Sequence, residues 1–134
     1  MKRSLAFAVS FVMLASAGHA KPVLYDCAFP DDSGGGWIAS QIVVSHDLAT
    51  GAVLVTDGVI LHYNEQPIAG KVRVLTDGKT EFGWNLKNLQ NSGQNLPTFE
   101  FRLRFNPANK KARIEATPVG YNNKFQATGV CKTS

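Results

Sequence analysis

The sequence predicts an all-β protein, an antiparallel meander of about eight or nine strands that forms a small barrel or a sandwich. Short runs of alternating apolar and polar residues recur along the chain, and turn-forming residues separate most of them. No stretch of helical length shows an apolar period of 3.6 residues. Cys27 lies in the first run and Cys131 in the last, so a disulfide between them would join the first strand to the last.

The predicted strands follow one another at short intervals, and each is bounded by turn chemistry. The first covers residues 23–29 and ends at a glycine-rich loop, residues 30–36. The others cover residues 37–45, 52–56, 59–63, 71–75, 79–86, 98–106, 111–118 and 124–131. Asp, Asn, Gly and Pro fill the intervals, which include a repeated Thr-Asp-Gly at 56–58 and 76–78.

Burial parity fixes the register of two predicted hairpins, because a slip of one residue turns every side chain to the other face. With residues 76–78 as a three-residue turn, Val72 faces Phe82 and Arg73 faces Glu81. The hairpin around Pro107 gives the facing pairs Phe101 and Ala116, Leu103 and Ile114, and Arg102 and Glu115. Each hairpin then has one core face and one solvent face, as antiparallel sheets usually do.

Residues 1–20 have the pattern of a secretory signal peptide. Lys2 and Arg3 precede an apolar stretch at residues 5–15. Gly18 and Ala20 suit the −3 and −1 positions for cleavage after Ala20, and cleavage after Ala17 is the alternative. Residues 21–134 are then a single all-β domain with 12 basic and 10 acidic residues. We expect a bacterial periplasmic or secreted protein with no transmembrane segment in its mature form and no nucleic-acid partner. In that oxidising compartment the two cysteines are expected to form a disulfide.

The outer face of the hairpin at residues 98–118 is the main candidate binding site. It carries Arg102, Arg104, Lys111 and Arg113, and the register places Arg104 opposite Arg113. Like charges directly across a ladder repel, and a bound anion would relieve this. The plainer interpretation is a solvated face whose basic residues prevent edge-to-edge aggregation. Two loops, residues 30–36 and 87–97, are further contact candidates.

The candidate metal ligands are His46 and His62. If the turn at residues 47–51 pairs His46 with Ala52, and the next hairpin pairs Ala52 with His62, the two histidines flank Ala52 on one face. Their backbones would be on the order of 10 Å apart, which is long for two ligands of one zinc ion. No third ligand is evident, so the sequence predicts no metal site.

No catalytic residues and no cofactor are predicted. An oxidised cysteine pair supplies no thiolate, and no serine lies in a Gly-x-Ser-x-Gly context. The expected function is therefore a non-enzymatic binding or inhibitor module of the bacterial envelope, with an envelope protein, a glycan or an anionic group as partner. One alternative is a lipocalin-like carrier of a small apolar ligand, suggested by the apolar residues on both faces of the segment 53–61. Another is a small metal-dependent hydrolase that uses the two histidines.

The layout of a signal segment, an early cysteine, a late cysteine and strands between them is similar to that of the C-type lysozyme inhibitors of the periplasm. The Ser-Gly-x-x-Tyr loop of those inhibitors has no counterpart in this sequence. The resemblance implies a disulfide-tied envelope barrel that binds a partner.

Overall fold

The computed structural model describes residues 20–30 and 35–134. The predicted signal segment, except Ala20, and part of the 30–36 loop lie outside the described residues. The elements in chain order are β1 (Val23–Ala28), β2 (Gln41–His46), β3 (Val53–Asp57), α1 (Gly58–Asn64), β4 (Ile68–Val74), β5 (Thr80–Leu86), β6 (Gln90–Asn91), β7 (Gln94–Asn95), β8 (Phe99–Phe105), β9 (Lys111–Pro118) and β10 (Phe125–Thr133). None of the described residues form a helix long and apolar enough to cross a membrane.

Eight of these strands form a closed antiparallel barrel in the order β1-β10-β9-β8-β5-β4-β3-β2. Each barrel strand pairs with its neighbour along the chain, and the small β6–β7 hairpin is inserted between β5 and β8. The pairing of β10 with β1 closes the sheet. The prediction of an antiparallel meander is confirmed, and of the two architectures left open, the barrel is the one that forms.

A disulfide joins the first and last strands, as predicted. Cys27 and Cys131 are direct partners in the β1–β10 ladder, and their sulfur atoms are bonded. Both side chains are buried, with 0% and 2% of their surface exposed. The crosslink thus lies inside the barrel wall, where two inward-facing positions meet.

The predicted registers are also confirmed. In the β4–β5 ladder Val72 faces Phe82 and Arg73 faces Glu81. The β8–β9 ladder contains the three pairs predicted around Pro107 and places Arg104 opposite Arg113. Apolar pairs lie inside the barrel and charged pairs outside it, because each strand alternates between the two faces.

The barrel interior is filled with side chains of complementary size. The strands β5 and β8 contribute the large residues Phe82, Trp84, Phe99, Phe101 and Phe105, all buried. In β9, Ala116 faces Phe101 and Ala112 faces Phe105. The next strand, β10, contributes two more small residues, Ala127 and Gly129. Large residues on one wall and small residues on the next are complementary in size, as is usual where side chains fill an eight-stranded barrel.

The strand predicted at residues 59–63 is wrong, because these residues belong to α1. The carboxylate of Asp57 accepts a hydrogen bond of 2.7 Å from the amide of Ile60, which caps the helix at its N-terminus. Ile60 packs into the core while Leu61 remains exposed. The helix has seven residues, about two turns, which is too short to display a helical apolar period in the sequence.

Candidate functional site

Charged side chains on the outside of the barrel are concentrated on four adjacent strands. The outward positions of β4, β5, β8 and β9 carry six basic residues and three acidic ones. The basic residues are Lys71, Arg73, Arg102, Arg104, Lys111 and Arg113, and the acidic ones are Glu81, Glu100 and Glu115. We call this surface the basic face. It contains all four of the binding residues predicted from the sequence.

The other half of the barrel wall has a different character. The outward positions of β1, β2, β3 and β10 carry one acidic residue, Asp26, and one basic residue, Lys132, which are paired in the β1–β10 ladder. Leu24, Leu54 and Val130 are exposed on this side. The excess positive charge of the barrel wall therefore lies on the basic face.

Glu81 organises the centre of the basic face. Its side chain is only 6% exposed, and its two carboxylate oxygens accept hydrogen bonds of 2.8 Å from Arg73 and Arg104. Loss of hydration raises the pKa of Glu81, but the hydrogen bonds from Arg104 and Arg73 outweigh this and hold it below its usual value. The same contact raises the pKa of Arg104. The three side chains thus form a charged cluster that stays ionised.

The opposed pair Arg104 and Arg113 has partners within the chain. Arg104 donates to Glu81, while Arg113 donates to Gln126 and lies 3.8 Å from Glu115. These acceptors relieve the repulsion that the sequence predicts, so the repulsion is no longer an argument for an external anion between the two arginines.

Three other cations of the basic face remain available to a ligand. Lys71, Arg102 and Lys111 have no side-chain ion pair with any residue in the described part of the chain. Two grooves run along this face. One, of about 730 Å³, is lined by Lys71, Gly83 and Arg102, and the other, of about 820 Å³, lies beside Arg104, Lys111 and Arg113.

The two histidines lie at opposite ends of the barrel. His46 ends β2 and pairs with Val53 at the start of β3, whereas His62 lies on α1, which follows the end of β3. The length of β3, about 13 Å, separates them. The expectation that both flank Ala52 is therefore wrong, because the strand predicted to carry His62 is a helix. Within the described residues no group of three or more His, Cys, Asp or Glu side chains is placed to hold a metal ion.

The surroundings of His46 are those of a packed residue. Its ring lies 6.0 Å from that of Phe82 in an edge-to-face contact. Its Nδ1 is buried and has no hydrogen-bond partner among the described residues. An edge-to-face contact with a core aromatic ring is a packing interaction. His46 therefore packs at the rim of the core.

The filled interior bears on the carrier hypothesis. Phe82, Phe101, Ile42, Leu103 and Ile114 are among the largest side chains that are fully buried. The two grooves described above lie on the outer wall. The large buried side chains occupy inward positions of the strands, where a ligand enclosed by the barrel would have to lie.

The segment 87–97 is partly structural. Leu89 is buried in the core. Residues 90–95, which include most of the Asn and Gln residues of this segment, form the short β6–β7 hairpin at the surface. Trp84, which precedes this segment, is buried and stacks on Phe101, in agreement with its parity in the sequence. Of the 30–36 loop, only part lies within the described residues.

The arrangement of the basic face could be predicted only in part from the sequence. Register within hairpins identified Arg102, Arg104, Lys111 and Arg113, but the contribution of β4 depends on the pairing of β5 with β8 across residues 87–98. The predicted Arg73–Glu81 pair is the one sequence feature that indicates this contribution, because it places β4, with Lys71 and Arg73, next to β5.

No known protein family, no characterised protein and no solved structure matches this chain.

Proposed function

We propose that this protein is a non-enzymatic binding module of the bacterial envelope, which contacts an anionic partner through the basic face. The concentration of six basic residues against three acidic ones on four adjacent strands is the observation that carries the proposal. The remaining four strands present one charge of each sign. An asymmetry of this kind steers an anionic partner to one side of a molecule and orients it there.

The barrel suits this role because it presents charges on a rigid platform. The basic side chains project from hydrogen-bonded strands, so the spacing of their Cα atoms is fixed before a partner arrives. Binding then costs less conformational entropy than it would on a mobile loop. The buried disulfide supports the same proposal, since disulfides form and persist in the periplasm and outside the cell. Export would follow from the signal segment proposed at residues 1–20.

The proposal is tested with poly-L-glutamate as an anionic probe. At low salt we expect the Arg102→Gln, Lys111→Gln double variant to bind the immobilised polymer at least tenfold more weakly than the unaltered protein, as measured by biolayer interferometry. Both cations are unpaired within the described residues, so their removal takes charge from the basic face without breaking an internal ion pair.

The matched control is the Lys124→Gln, Lys132→Gln double variant, which removes the same net charge from outside the basic face. It should bind within twofold of the unaltered protein. Equal losses in the two variants would show that binding follows net charge and that the basic face has no special role. That result would overturn the proposed function.

A further inference from the structure

Outward side chains of adjacent strands lie in rows that run across the sheet. In one row of the basic face, Glu81 of β5 lies between Arg73 of β4 and Arg104 of β8. Both arginines donate from Nε to its carboxylate at 2.8 Å. This row is a complete receptor for one carboxylate, and the chain itself supplies the occupant.

The next row on the same face repeats the arrangement but has no side chain at its centre. Gly83 of β5 lies between Lys71 of β4 and Arg102 of β8. Neither cation is ion-paired with another described residue. The groove of about 730 Å³ covers this row, and all three residues line it. Two cations therefore flank an open position of the kind that Glu81 fills in the neighbouring row.

The fold does not require glycine at position 83. A Cβ atom built there would meet its nearest neighbour, the carbonyl oxygen of Phe101, at 3.7 Å, an ordinary contact distance. At Gly70 and Gly129, by contrast, a Cβ would lie 2.9 Å and 1.9 Å from a backbone oxygen. Glycine weakens a strand interior, and one of its recognised roles there is to let a ligand approach the backbone closely.

The groove carries acidic as well as basic side chains. Glu100 lines it together with Arg73 and Lys87, and Glu115 faces Arg102 from β9. The geometry of the donors, and not the net charge, therefore indicates which anion fits. A carboxylate has one charge and a planar pair of oxygens, which matches the fork of donors on an arginine.

We propose that Lys71, Gly83 and Arg102 form a receptor for the side-chain carboxylate of an aspartate or glutamate on a protein partner. The inference rests on the proposed function and names the group that is bound and its place on the basic face. The groove is several times larger than a carboxylate and lies on the outer wall of the barrel, so the group arrives on a larger molecule. The row of Glu81 already shows this arrangement within the protein, because there an arginine from β4 and one from β8 both bind the carboxylate of a residue in β5.

The first test supplies the carboxylate from within the chain. We expect the Gly83→Glu variant to unfold at a higher urea concentration than the Gly83→Gln variant at neutral pH and low salt. The glutamate can pair with Lys71 and Arg102, whereas the glutamine has the same size and no charge. The difference should vanish in about 1 M NaCl, below about pH 3, and when both cations are changed to glutamine. Equal midpoints for the two variants at low salt would overturn the receptor.

The second test supplies the carboxylate from outside. The peptide acetyl-Gly-Glu-Gly-amide should shift the amide resonances of Gly83 and Trp84 and the Nε–H resonance of Arg102 in the NMR spectrum of the disulfide-bonded protein. The matching glutamine peptide should not. In the Gly83→Glu variant, affinity for the glutamate peptide should fall at least tenfold. No response to the glutamate peptide, or tighter binding of methyl glucuronide than of that peptide, would overturn the assignment to an acidic side chain of a protein.

The two sets of experiments distinguish failure of the receptor from failure of the proposed function. If poly-L-glutamate binds the basic face but the two Gly83 variants are equally stable, the function stands and the receptor at Gly83 is wrong. If the polymer does not bind, the function and the receptor for a partner's carboxylate are both wrong, even where Lys71 and Arg102 stabilise the Gly83→Glu variant.

Discussion

Two carboxylates are buried among the described residues, and their surroundings shift their pKa values in opposite directions. Burial dominates at Asp57 and raises the pKa of its carboxyl, although the backbone amides of Ile60 and Val59 act against it. At Glu81 burial also acts to raise the pKa, but hydrogen bonds from Arg104 and Arg73 lower it further than burial raises it. The difference lies in the partners, since a guanidinium carries a full charge and a backbone amide only a dipole.

The lowered pKa of Glu81 makes the stability of the protein depend on pH. A carboxylate whose pKa is depressed by folding stabilises the protein above its unfolded value of about 4.5, and this contribution is lost as the pH falls through the folded value. We expect Glu81→Gln to lower the free energy of unfolding at pH 7 by on the order of 1 kcal/mol, because solvent screens both ion pairs at their partly exposed arginines.

Urea unfolding at several pH values checks this expectation. The gap between the unaltered protein and Glu81→Gln should shrink steadily in the acid range. A gap that stayed constant down to about pH 3 would mean that Glu81 stabilises the barrel by packing and not by its charge.

One of the two ion pairs of Glu81 could be predicted from the sequence. The turn at residues 76–78 fixed the pairing of Glu81 with Arg73, because one short turn sets one register. The pairing with Arg104 was not accessible, since β5 and β8 are separated by a segment that contains its own hairpin. A long connection leaves the register open to any shift that preserves parity.

Among the elements, the strands were predictable and the helix was not. Alternation and turn residues located the eight barrel strands to within a few residues. The strand β4 begins at Ile68 and pairs with β3, whereas the prediction pairs residues 59–63 with that strand. The two Thr-Asp-Gly segments look alike in the sequence. At 76–78 the segment forms a hairpin turn, while at 56–58 Asp57 caps α1. Burial of Ile60 against the core decides between them, and that is a tertiary effect.

Glycines in the strands show where two elements approach most closely. In β10, a Cβ on Gly129 would lie 1.9 Å from the carbonyl oxygen of Ala28 in β1, whereas a Cβ on Gly83 would meet its nearest neighbour at 3.7 Å. We therefore expect Gly129→Ala to destabilise the barrel by about 1–3 kcal/mol or more, because β1 and β10 would have to separate. Gly83→Ala should be neutral or stabilise by up to about 1 kcal/mol.

Thermal and urea unfolding of the two variants side by side check this contrast. The comparison is matched, since the same methyl group is added to two extended glycines. Similar losses at both positions would show that glycine is needed in β5 for the fold, which would also remove the argument that its absent side chain serves a ligand.

For the whole molecule, the disulfide and the β1–β10 ladder both join the first strand to the last and so close the barrel. Cys27 and Cys131 are 104 residues apart in the sequence and adjacent in the β1–β10 ladder. In the chain-entropy account, crosslinking so long a loop restricts the unfolded state and stabilises the folded one by about 4.7 kcal/mol. We expect the Cys27→Ala, Cys131→Ala variant to lose about 2–5 kcal/mol of unfolding free energy in urea.

The reduced form of the unaltered protein is the control and should unfold at nearly the same urea concentration as the double variant. A loss below about 1 kcal/mol would indicate that the unfolded chain retains the β1–β10 contact without its crosslink.

Leu24 and Ser134 exchange two backbone hydrogen bonds of 3.0 Å, which places the beginning of β1 beside residue 134. A barrel closed in this way has no preferred starting strand. A short peptide bridge between these two points, with a new opening at an exposed turn such as 76–78, would give a circular permutant with the same cyclic order of strands. Several linear orders of the strands can therefore form the same barrel, as long as each strand keeps the same two neighbours.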